Sequence, residues 1–415
     1  MTANPSIDLS ELHARVLAAC RELAALTEVP GETTRPYLCP TTRGVHAFLR
    51  AWADRLGLST RIDAVGNLRS RREGPTPDSP TLYLGSHIDT VPNAGAYDGI
   101  LGVLLAYALA EAVRDQALPY ALEVLAFSEE EGVRYGVPFI GSRALTGTAG
   151  PLLELRDKDG LTVSDAIRAY GLNPDELPDA EIRSESLGYL EFHIEQGPVL
   201  QAAGAGVGVV TAIAGQNRVL LDFTGQAAHA GTTPMTHRRD ALAAAARFVV
   251  AAEERARATP GLVATVGVMQ ARPGAINIVP GEVHCTLDIR HERDEVRRDA
   301  LPLLLADAER FAAERGVTVS ITPKMEEAAT PMDARFQGLL RQAATDLGLD
   351  APDVLSGAGH DAMIMSTRMP AAMLFLRSPN ALSHHPDEMV NPEDVEAALR
   401  VGLRFLERLA QEARA

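Results

Sequence analysis

From Leu9 to Leu56 apolar positions recur at helical intervals, broken near Pro30 to Pro40 by a Gly/Thr/Pro-rich loop. Two strand-like segments follow, Ser59 to Arg69 and Thr81 to Ser86, and the second ends at a Gly-Ser-His. Gly99 to Arg114, rich in Ala and Leu, predicts a helix. Tyr120 to Phe127 predicts a short apolar strand that runs into Ser128, Glu129, Glu130 and Glu131. Strands alternating with helices predict an α/β domain with a mostly parallel sheet. In such sheets the polar groups at the carboxyl ends of strands are where ligands bind. Both polar clusters stand at that edge.

The rhythm changes over residues 215–323. Asn217 to Thr224 reads as a strand, Arg238 to Arg257 as an Ala-rich helix, and Leu262 to Ala271 as a strand. Glu282 to Arg290 is a strand, Glu292 to Arg315 a helix and Val317 to Thr322 a strand. The order β-α-β-β-α-β is the split βαβ, ferredoxin-like arrangement, a complete small domain. Ala334 to Leu347 is then helical, Ala371 to Phe375 a strand, and Pro392 to Ala415 a terminal helix. The expected organisation is a catalytic domain of residues 1–214 and 324–415, interrupted by a lid or dimerisation domain of residues 215–323.

Composition narrows the partners. The 415 residues carry 39 Lys+Arg against 55 Asp+Glu, a net charge of -16, which argues against nucleic acid or an anionic membrane as the main partner. No stretch approaches the ~18–20 apolar residues that span a bilayer. The N-terminal residues lack the basic and apolar regions of a secretion signal. Cys20, Cys39 and Cys285 are far apart, odd in number and without metal spacing, so reduced thiols and a cytoplasmic location are expected.

Candidate chemistry lies among the eleven histidines. His13 and His46 fall on predicted amphipathic helices, where a surface or packed role suffices. His237, His284 and His291 sit among charges or in a strand of the insert. His87 directly follows an apolar strand, and the alternation of a strand end sends Asp89 to the same side, where a carboxylate can orient an imidazole. Asp98 precedes a helix and would also serve as an N-cap. Three adjacent glutamates would simply be solvated on a surface. At the end of a parallel strand, converging on His87 and Asp98, they make better sense around a cation. His193 lies on a strand whose polar residues no core explains, and Ser383-His384-His385-Pro386 is a tight polar loop. Such a set matches two divalent ions about 3.5–4 Å apart, bridged by a shared carboxylate, with a spare glutamate as general base on the attacking water. Gly357-Ala358-Gly359 lacks the Lys-Ser/Thr of a P-loop and the G-x-G-x-x-G of a dinucleotide site.

In order along the chain stand GSHIDTV, NAGAYDGILGV, SEEEGVRYG, LEFHIEQGPVL, GQAAHAGTTPM, GAINIVPGEV, SGAGHDAM and SHHPDE. Together they resemble the dinuclear metal-dependent aminoacylase/carboxypeptidase superfamily, and within it the amidase–hydantoinase–carbamoylase branch. The resemblance covers nearly the whole chain. It implies that His87, Asp98 and His193 hold one ion and that Asp98, Glu131 and His384 hold the other. Zinc or manganese would fill the two sites of each subunit, and cobalt would also be accepted. It further implies that Glu130 is the general base, with the catalytic pair placed directly before the glycine so that Glu129 is only a neighbour, and that Asp89 orients His87. Gln196 would contact the scissile group, and His229 would stabilise the oxyanion, reaching the active site of a partner subunit. Asn277 and Arg290 would bind the substrate carboxylate, where a guanidinium pairs bidentately. Gln216 and the backbone around Gly359 are further substrate-binding candidates.

The activity implied is hydrolysis of a ureido (N-carbamoyl) C–N bond in a small carboxylate, by a homodimer assembled through the inserted domain. The stretches VVTAIAGQNR and PGAINIVPGEVHCTLDIRH are most similar to the subgroup that cleaves allantoate in purine degradation. Hydrolases of N-carbamoyl-L-amino acids stand next, then β-ureidopropionase and ureidoglycolate hydrolase. A metallopeptidase on the same core is disfavoured by the HIEQGP segment, and an intact ligand set disfavours a non-enzymatic binding role.

Overall fold

The computed structural model of the chain describes residues 8–182 and 185–414. Two compact units form, one running to Thr211 and resuming at Met332, the other spanning Ala212–Pro331. In chain order the strands are β1 (Ser59–Ile62), β2 (Leu68–Arg72), β3 (Thr81–His87), β4 (Ala121–Phe127), β5 (Ser186–Ile194) and β6 (Val207–Ile213). Next come β7 (Gly215–Thr224), β8 (Ala228–His229), β9 (Val263–Thr265), β10 (Met269–Arg272), β11 (Ile278–Val279) and β12 (Glu282–His291). The last are β13 (Thr318–Glu327), β14 (Thr330–Pro331), β15 (Asp353–Ser356) and β16 (Ala371–Leu376).

A nine-stranded sheet has the order β1-β2-β4-β3-β5-β16-β6-β14, with β15 on β6. Its four central strands, β4, β3, β5 and β16, run parallel, and antiparallel pairs flank them on both sides. Every residue of β3, β4 and β16 is buried, so these strands read as continuous apolar runs rather than alternating ones. The helix Ile100–Ala112 is apolar on all sides and buries all but one of its residues, as a helix enclosed within a core must. Helices Leu9–Ala24 and Pro392–Glu412 pack against it, and Ala334–Asp346 packs on the latter.

Two expected strands are broken in the structure. Ser59 to Arg69 forms the hairpin β1–β2 because the Asp63 carboxylate accepts from the backbone of Val65 (3.2 Å) and Asn67 (3.0 Å) and from the Asn67 side chain (2.8 Å), closing a turn. Leu262 to Ala271 divides into β9 and β10. Both pair with β12, but a one-residue shift in register falls between them. The helix expected from Arg238 starts at Ala241, because Asp240 caps it by accepting from the Ala243 amide.

In the second unit β10, β12, β7 and β13 form an antiparallel sheet in that order, with β9 also on β12. Burial alternates along β7 and β12, and helices Ala241–Ala258 and Asp294–Ala313 cover the apolar face around Leu221, Phe223, Phe248, Leu287, Leu304 and Phe311. The unit extends past 215–323 at both ends: β13 continues to Glu327, and Thr330–Pro331 pairs with Ala212 and Ile213.

Candidate metal centre

The four parallel strands end at one edge, and each delivers part of a polar cluster there. His87 is the last residue of β3, Ser128 to Glu131 follow β4, His193 is the penultimate residue of β5, and the loop carrying Ser378, Ser383 and His384 follows β16. Asp98 comes from the segment between β3 and the central helix. It does not cap that helix: Gly99 holds the cap position and makes no side-chain bond. Gly99 has φ +68°, and a Cβ there would lie 2.3 Å from the His87 ring. Only glycine lets the chain turn Asp98 inward past that imidazole.

Asp98 faces two donor sets, one with each oxygen. Oδ1 lies 3.2 Å from His193 Nε2 and 3.8 Å from His87 Nε2. Oδ2 lies 3.3 Å from His384 Nε2, which in turn stands 3.6 Å from Glu131 Oε1. The two Nε2 atoms of His87 and His193 are 3.4 Å apart. Their Nδ1 atoms face the backbone oxygens of Asp89 (3.0 Å) and Ile194 (2.9 Å), which places a proton on each Nδ1. Neutral rings so oriented aim their Nε2 lone pairs at each other and at a buried carboxylate oxygen. Positive charge at that point is required, either as protons on the rings or as a cation.

The carboxylates give the same result. Burial raises Glu130 well above the usual range, and burial with the neighbouring Asp98 holds Glu131 up to about 7. Burial opposes the charge of Asp98 too, yet the surrounding imidazoles of His193, His384 and His87 keep it well below its ordinary value. His87, Asp98 and His193 form one group of three converging ligand atoms, and Asp98, Glu131 and His384 form another. His87, Glu130 and Glu131 also converge. This donor set of imidazoles and carboxylates fits divalent cations of the zinc and manganese kind. Glu129 is fully buried and belongs to none of these groups.

Around the ligand atoms stand the groups that aim them. Asp89 accepts from the amides of Glu130 (3.0 Å) and Glu131 (3.1 Å). Gln196, held at φ +59°, donates from Nε2 to Asp98 Oδ2 (3.1 Å) and Ser383 Oγ (2.9 Å). Three further participants lie within LEFHIEQGPVL, SGAGHDAM and SHHPDE without being singled out there. His360 packs edge-on against His193 with ring centroids 4.4 Å apart, and burial lowers its pKa well below normal. Glu191 accepts from Ser86 Oγ and the Ala362 amide beneath the two imidazoles. Glu388 accepts from the backbone of Asp98 itself. Gly359 packs under Phe139, which a Cβ would approach to 2.8 Å.

The other candidates belong to the second unit. His229 and Asn277 meet at the β8–β11 ladder, where the Ala230 amide donates to the Asn277 carbonyl, and both are exposed. Gln216 and Arg290 are cross-strand partners in β7 and β12. Gln216 donates to Glu327 on the next strand. The Arg290 guanidinium grips Asp288 twice, at 2.7 and 2.9 Å, and Asp288 also takes Arg218.

Two converging sets of imidazole and carboxylate donors stand at the carboxyl edge of a parallel sheet, with His87, Asp98 and His193 buried and His384 exposed, and they mark a candidate divalent-metal site. Residues 83–411 match the family described as peptidase family M20/M25/M40, and the chain belongs to it. This is a divalent-metal-dependent family. The chain is 37% identical to an N-carbamoyl-L-amino acid amidohydrolase of Geobacillus stearothermophilus, covering 94% of this chain and 97% of that protein. It is also 37% identical to the allantoate amidohydrolase of Escherichia coli (strain K12), over 85% of this chain and 87% of that one. A crystal structure of a hydantoinase/carbamoylase-family amidase from Burkholderia multivorans superposes with a TM-score of 0.90, at 31% identity over 96% of this chain and 98% of that one.

Proposed function

We propose that this chain is an amidohydrolase that cleaves the ureido C–N bond of a small carboxylate, with allantoate as the favoured substrate. Membership of the amidase branch of the family makes it a hydrolase of amide C–N bonds. The observation that carries the ureido reading is the similarity, at 37% identity in each case, to an N-carbamoyl-L-amino acid amidohydrolase and to an allantoate amidohydrolase. His87, Asp98 and His193 would hold one ion, and Asp98, Glu131 and His384 the other, with zinc or manganese preferred and cobalt tolerated. The ions would polarise the ureido carbonyl and acidify water.

The chain's own residues do the rest. Glu130 takes a proton from the attacking water and returns it to the leaving nitrogen, so that ammonia departs and the carbamate left behind loses carbon dioxide. Asp89 holds the His87 ring, and Gln196 binds the ureido group. The roles of the second unit rest on the resemblance: His229 for the oxyanion, Asn277 and Arg290 for the carboxylate, Gln216 as a further contact. Backbone of the Gly359 loop is a further contact in the first unit. The edge strands of the small sheet carry unpaired backbone groups, which supports a homodimer formed there.

N-carbamoyl-L-amino acids are the second reading, supported by the 37% identity to the Geobacillus protein. Among the described residues no helix is long and apolar enough to cross a membrane, and a cytoplasmic location is part of the proposal. Ammonia release from allantoate, from N-carbamoyl-L-amino acids and from a dipeptide, with added Mn²⁺ or Zn²⁺, tests the assignment. Release from allantoate at the highest kcat/KM is expected. Turnover of the dipeptide alone would overturn it.

A further inference from the structure

The loop after β16 reaches Asp98 from more than one side. Ser383 Oγ donates to its Oδ2 at 3.3 Å, and His384 Nε2 meets the same oxygen. Four residues on, Glu388 sends its carboxylate to the backbone: Oε1 accepts from the amides of both Tyr97 and Asp98, each at 3.0 Å. Glu388 is 5% exposed. Gly95 lies against it, and a Cβ on Gly95 would stand 2.3 Å from Glu388 Cβ and 2.6 Å from Oε1. Any side chain at 95 would therefore push the carboxylate off the two amides. A buried glutamate accepting two consecutive N–H groups next to the residue shared by both donor sets fixes the height and rotation of that residue's backbone.

We propose that Glu388 is a positioning residue for the metal centre: it holds the Tyr97–Asp98 peptide so that each Asp98 oxygen faces one donor set, and Gly95 is small to admit it. The proposal rests on the reading of Asp98 as the shared ligand. It requires an acceptor at Oε1 rather than a negative charge, so glutamine should serve where alanine does not.

The test compares E388Q, E388A and G95A in the full chain. Zn²⁺ affinity is read by competition with a chelating dye, the two-site stoichiometry by metal analysis, and Tm after metal removal gives the stability of the fold alone. E388A and G95A are expected to bind one or both ions ~10- to 100-fold more weakly, the range found when groups that orient metal ligands are removed. E388Q should stay within about threefold of the parent. All variants should melt within a few degrees of the parent after metal removal. Two ions held by E388A within about threefold of parental affinity would overturn the proposal. So would an E388Q loss equal to that of E388A. If E388A does not fold, G95A decides the outcome by the same limits. A parent chain that binds no divalent ion would remove the reading of Asp98 along with this inference, whereas the other results bear on Glu388 alone.

Discussion

Asp89 and His87 are joined twice: the His87 Nδ1 faces the Asp89 carbonyl oxygen at 3.0 Å and its Oδ1 at 3.4 Å. The same carboxylate accepts the amides of Glu130 and Glu131, one on each oxygen. One side chain thus sets the angle of an imidazole and the point from which two glutamates depart. Both its oxygens receive N–H groups, so in Asp89→Asn the amide NH₂ must face another N–H whichever way it is turned. Asp89→Asn is expected to weaken metal binding ~10- to 100-fold, measured by dye competition. Parental affinity in this variant would show that the paired contacts are incidental.

Glu130→Gln should abolish turnover while metal content stays near parental. The amide keeps the size and loses the basicity that proton transfer needs. Glu131→Gln should instead lower the occupancy of one ion, since Glu131 faces His384 at 3.6 Å. Metal analysis of both variants beside their rates separates the roles. The reverse pattern would exchange the assignments.

Arg290→Ala and Arg290→Lys both test the carboxylate clamp. In the structure the guanidinium is paired with Asp288, which by itself is a surface ion pair worth about 0–1 kcal/mol. A charge-assisted bond to substrate is worth on the order of 2–4 kcal/mol, so kcat/KM should fall roughly 30- to 1000-fold with metal content unchanged. Lysine keeps the charge without the two-pronged geometry and should be clearly impaired. Kinetics near parental in the alanine variant would leave Arg290 to its partner Asp288.

Light scattering should return a dimer mass at working concentrations. A monomer mass for the full chain would rule out assembly through the small sheet.

His46 gives a pH signature remote from the cluster. Burial lowers its pKa to about 4, with Arg50 and Arg43 adding to the shift, and the Tyr170 hydroxyl stands 3.1 Å from Nδ1. The folded chain keeps this ring neutral where the unfolded chain protonates it, near pH 6.5. Between those values the unfolded state binds more protons, so the contribution is full above pH 6.5 and is lost as pH falls toward 4. The loss amounts to about 3 kcal/mol. Denaturant unfolding of metal-free His46→Gln should therefore show a shallower decline than the parent over this range. Parallel curves would mean that the ring titrates normally.

Much of the fold is legible in local pattern. β3 and β4 announce themselves as short apolar runs, the helix Ile100–Ala112 as an uncharged one, and β7 to β13 by alternation around two Ala- and Leu-rich helices, because each element's burial is written in its own residues. The ligand candidates are legible as well, since His87, the glutamates after Phe127, and His193 stand at strand ends where a core has no use for them. Apolar pattern does not report hydrogen bonds inside loops. The Asp63 turn that breaks Ser59 to Arg69, and the register shift between β9 and β10, were therefore hidden from it. Nor does it report partners brought together by topology. Glu388 lies 290 residues from the Asp98 amide it accepts, and His360 meets His193 only because β5 and β16 are neighbours in the sheet. Sequence determined which residues could bind a cation. The parallel order β4-β3-β5-β16, which places every carboxyl end on one edge, decided that Asp98 turns one oxygen to each donor set.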